Sequence, residues 1–108
     1  MAVEKIYPVS YEYVYSDVLL RKFKLSVGDL NFEENPLDEY YKNFLVQATS
    51  DLIEDDISVK RLEGDLGHSL ICLYAEALMN KTDIANNSTI TLLKNKLAIN
   101  TKGDAVDV

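Results

Sequence analysis

The run Gly67-His68-Ser69-Leu70-Ile71-Cys72-Leu73-Tyr74-Ala75-Glu76-Ala77-Leu78-Met79-Asn80 is the most apolar in the chain, and its spacing is helical. Leu66, Leu70, Leu73, Ala77 and Leu78 fall near one stripe, with Tyr74 beside it, as in a helix that faces a core. Ile71 and Cys72 widen that stripe until little of the helix is left polar. A helix apolar nearly all round has to be enclosed on several sides. The run is therefore read as the central post of a small helical domain.

Immediately upstream, Ser58 can cap a helix that runs from Val59 through Asn80, with Gly64 and Gly67 inside it. Each glycine costs roughly 0.5–1 kcal/mol relative to alanine at such a position. Either a neighbouring helix approaches closely there or the helix begins nearer Asp65. Further back, Asn35 reads as an N-cap, Pro36 as the first helical residue, and Asp38 and Glu39 as first-turn acids. Leu37, Tyr41, Phe44, Leu45, Ala48 and Leu52 then mark an apolar face, flanked by Tyr40, on a helix that extends to about Glu54. It ends in the acidic cluster Asp51-Leu52-Ile53-Glu54-Asp55-Asp56. This cluster lacks the alternating ligands and central glycine of a calcium loop. Acids at a helix C-terminus oppose the dipole, so the cluster is expected to fray into solvent.

Ser26 to Asn35 reads as a loop turning at Gly28-Asp29, with Leu30 and Phe32 tucked back against the domain. Before it, Ser16 caps a short helix from Asp17 to about Leu25, and Arg21, Lys22 and Lys24 suit the dipole in its last turns. Val3 to Tyr15 is tyrosine-rich: Tyr7, Val9, Tyr11, Tyr13 and Tyr15 alternate with Pro8, Ser10, Glu12 and Val14, as in an extended segment. A helical reading competes, because Tyr11, Val14, Tyr15, Val18, Leu19 and Phe23 also share a 3.6-period face. Downstream of the central run, Lys81 to Asn87 is a polar loop, and Ser88 caps a final helix from Thr89 to about Ile99. Ile90, Leu93 and Leu97 make one stripe on it, and Leu92 and Ile99 make another. Two stripes on so short a helix point to contacts beyond its own domain. Asn100 to Val108 is read as a flexible tail. The expected fold is all-α: one domain over residues 1–99, built as a bundle of about four helices with an extended lead-in over residues 1–15.

A chain of 108 residues fits one domain of modest stability, on the order of 5–15 kcal/mol. Its 47% hydrophobic and 27% charged residues are ordinary for a globular protein. Lys and Arg number 11 against 18 Asp and Glu, a formal net charge of -7 that argues against simple nucleic-acid binding. The excess is concentrated in residues 36–80, as a solubilising surface or as an acidic wall toward an anionic or basic partner. The one cysteine, Cys72, cannot form an intramolecular disulfide and is expected to pack as a small hydrophobe, which suits a reducing compartment. Met1 to Ser10 has no apolar signal core, and no run approaches the roughly 20 apolar residues of a membrane span. A soluble chain, intracellular at synthesis, is expected. His68 has no Cys, Asp or Glu partner at ligand spacing and reads as a packing or surface residue. No phosphate-binding glycine loop, Cys/His metal pattern or Ser/His/Asp set occurs. The expectation is a non-enzyme without cofactor or metal.

The order of elements resembles the small head–tail connector (adaptor) proteins of long-tailed bacteriophages. The likeness rests on Ser16 to Leu25 (SDVLLRKFKL) with Gly28-Asp29, Leu45 to Ile53 (LVQATSDLI), Leu70 to Leu78 (LICLYAEAL) and Thr91 to Leu97 (TLLKNKL). It spans about residues 16–99 as a pattern of hydrophobic spacing and element length, without a diagnostic motif. The tyrosine-rich lead-in and the two glycines before the central run depart from the usual pattern. The resemblance implies a homo-oligomeric ring, usually a dodecamer, beneath the portal protein at the capsid vertex. Such a ring extends the DNA channel, passes DNA without specific binding, and meets the next head-completion or tail protein. It implies no catalytic residues and no membrane. In such rings the C-terminal helix and arm commonly reach the portal, which here places partner contacts on Leu92, Lys96, Ile99, Lys102, Val106 and Val108. A rival reading is a small acidic intracellular regulator, anti-restriction or antitoxin-like, that mimics the charge of DNA. A second rival is an enzyme of another kind, which would need a pocket with a perturbed titratable group.

Overall fold

The computed structural model describes the backbone of residues 15–107 and the side chains of residues 15–98. The lead-in up to Val14, and with it most of the choice between strand and helix there, lies outside the described residues. The remainder is all-α, as the periodicity predicts: α1 (Asp17–Ser26), α2 (Leu37–Glu54), a single turn α3 (Val59–Leu62), α4 (Asp65–Asn80) and α5 (Ser88–Asp107). α4, the central post of the sequence reading, packs against each of the other helices, most broadly on α2; α1 also rests on α2. Among the described residues no helix is long and apolar enough to cross a membrane.

Each helix of the bundle turns a short apolar stripe inward. Leu19 and Phe23 of α1, Leu45 and Leu52 of α2, Leu62 of α3, Leu70 and Ile71 of α4, and Ile90 of α5 are essentially closed to solvent. The rings of Phe23 and Tyr41 meet edge to face, with centroids 5.5 Å apart. On α4 the enclosed side runs through Leu70, Ile71, Tyr74 and Ala75, whereas Leu73, assigned to the stripe by spacing, is half-buried. Cys72 is buried as expected, and burial pushes its thiol up to about 12, so it stays protonated and inert at neutral pH.

The start signals act largely as read. Ser16 Oγ accepts the Leu19 N–H at 3.2 Å. Asn35 Oδ1 accepts the Leu37 N–H at 3.0 Å, and Asp38 Oδ2 accepts the Asn35 N–H at 3.2 Å, a reciprocal capping box. At α5 the cap is Asn87 and not Ser88. Asn87 Oδ1 accepts the Ile90 N–H at 3.0 Å, and Ser88 opens the helix.

Three further expectations are corrected. Val59 to Asn80 is not one helix: the chain turns at Glu63-Gly64 between α3 and α4. Gly67 then lies so close under α3 that a Cβ on it would overlap the Arg61 carbonyl oxygen and the Leu62 backbone. Leu30 does not tuck back, being 71% exposed, although Phe32 is half-buried beneath the Arg21 guanidinium at 4.3 Å. Finally, α5 does not stop at Ile99; its backbone stays helical through residues 100–107, the stretch read as a loose tail. Those residues include no proline, and Gly103 alone costs only about 1 kcal/mol of helix propensity.

Candidate functional site

α5 is divided lengthwise. Ile90 and Leu97 are 1% and 3% exposed and Leu93 is half-buried, so this stripe holds the helix on the bundle. Lys94 pins the same region from the side, its ammonium 2.7 Å from Asp55 at the end of α2. On the opposite side, Leu92 is 61% exposed and Lys96 is exposed one turn further on. Positions 92, 96, 99 and 106 follow one line of a helix by their spacing, with 102 at its flank. The side chains of Ile99, Lys102 and Val106, and all of Val108, lie outside the described residues. The structure therefore gathers Leu92 and Lys96 on one face and continues the backbone that carries Ile99, Lys102 and Val106.

The acidic cluster at the end of α2 does not fray. Asp51 accepts from the Tyr74 hydroxyl at 3.1 Å and from Gln47 at 2.9 Å, and Asp55 takes the Lys94 pair, so the cluster ties α2 to α4 and to α5. Burial and the neighbouring Asp51 push the Tyr74 hydroxyl up to about 12, which keeps it a donor. The unfavourable dipole position is offset by these partners, of which Tyr74 and Lys94 come from distant sequence. Among the described residues no three His, Cys, Asp or Glu side chains gather in a way that could hold a metal ion.

A second polar constellation, at the corner of α1, the following loop and α2, escaped the sequence reading. Lys24 does not reach out to the dipole; it is 2% exposed. Its ammonium lies 2.6 Å from Asp38 Oδ1 and donates to the Asn31 carbonyl at 3.1 Å. That ammonium, together with the Asn35 N–H, holds the Asp38 carboxyl below the ordinary carboxylate range. Alongside, Asp29 accepts from the Asn31 N–H at 2.9 Å and from the Tyr41 hydroxyl at 2.7 Å. Those donors lower Asp29, while the bond to Asp29 and burial raise Tyr41 to about 12. The available signal was register: Lys24 follows Leu19, Leu20 and Phe23 on the inward side of α1, where a cation needs a partner. Asp29, Asp38 and Tyr41 are thus all shifted away from neutral pH. His68 is half-buried, with its pKa lowered by burial and by Lys22.

Compared with known protein families, characterised proteins and solved structures, the chain matches none.

Proposed function

We propose that the chain is a subunit of a bacteriophage head–tail connector, a structural virion protein made in the bacterial cytoplasm and built into a ring under the portal. The ring extends the DNA channel and joins head to tail. It needs no cofactor and binds DNA without sequence recognition. The reading rests on the resemblance in element order and hydrophobic spacing, and one observation supports it most. α5 buries Ile90 and Leu97 while leaving Leu92 61% exposed on a helix that runs on to Asp107, as a helix with a second surface to satisfy would do. Leu92, Lys96, Ile99, Lys102, Val106 and Val108 are the proposed portal contacts. The net charge of -7 suits a channel through which DNA slides without adhering. A regulator that mimics DNA would need free acids along one face, whereas Asp51 and Asp55 are engaged in ties within the bundle.

The experiment is removal of the gene from a phage that carries it. The connector reading predicts normal early expression and genome replication, with filled heads that lack tails or leak DNA. Tailed particles at the wild-type frequency, or altered early steps with properly joined particles, would overturn it.

A further inference from the structure

We draw no further inference here: the strongest candidate, the open cleft of about 600 Å³ between α1, the loop over residues 27–36 and the start of α2, mixes the carboxylates of Asp17, Glu34 and Glu39 with the cations of Arg21 and Lys42 in its walls, and nothing in the structure shows what covers it.

Discussion

Lys24 shows how one residue can carry a corner of this protein. Its ammonium is enclosed, so removing its carboxylate partner leaves a buried charge with only the Asn31 carbonyl to accept from it. Asp38 is 20% exposed and keeps the Asn35 N–H, so it tolerates loss of the lysine better. Asp38→Asn should therefore lower the melting temperature more than Lys24→Met, and equal losses would contradict the asymmetry. The same corner sets an acid limit. Asp29 and Asp38 both have folded pKa values below the ordinary 3.8, so the stability they contribute is complete above that value. It is lost as pH falls through their folded values, because the unfolded chain binds those protons first. Melting followed from pH 6 downward should show this loss, and Asp29→Asn/Asp38→Asn should flatten it; an unchanged slope would assign it to other acids. Gly67 is the second decisive residue. Gly67→Ala should destabilise by about 1–3 kcal/mol or more because the α3 backbone must move, whereas Gly64→Ala, with only the Arg61 carbonyl at 3.8 Å, should cost far less. Similar denaturation midpoints for the two variants would exclude the close approach.

At the scale of elements, α1, α2 and α4 end in the same way, with a left-handed residue and the paired bonds of a Schellman motif. Gly28 serves α1, with φ +84 and the Asp29 N–H bonded to the Lys24 carbonyl at 2.8 Å. Asp56 and Lys81 take the same position on α2 and α4 with φ 69 and 57, where a Cβ is unfavourable. Asp56→Gly and Lys81→Gly should each stabilise the bundle by about 0.5–1 kcal/mol, read as a higher urea midpoint at unchanged slope. A lower midpoint would mean that the side chains contribute more than the backbone strain costs. These ends also mark the limits of what the sequence made legible. Starts at Ser16 and Asn35 were readable because a cap acts on residues two or three positions away. The glycines at 64 and 67 left a start nearer Asp65 open, which is where α4 begins, whereas the engagement of Asp51 with Tyr74 and the inward turn of Lys24 toward Asp38 were not readable, because each depends on partners further along the chain. Asn87 and Ser88 are both good caps, and sequence alone did not choose between them.

Across the whole molecule, one apolar helix organises the rest. α4 was identifiable as the centre because an all-round apolar helix has no other stable place in a small domain. The outer line on α5 was legible as a second stripe at Leu92 and Ile99, but the length of that helix was not, since Gly103 and the polar residues around it resemble a fraying end. The bundle leaves Leu92 on this line exposed, and the connector reading gives it a partner. Quantitative mass spectrometry of purified filled particles carrying Leu92→Glu tests that assignment most directly. Leu92 is 61% exposed, so the isolated variant should keep wild-type helicity and melting. Particles made with the unaltered protein should contain it as a multicopy component, and particles made with the variant should lose it together with their tails. Particles that carry the variant at wild-type copy number and remain tailed would contradict the reading.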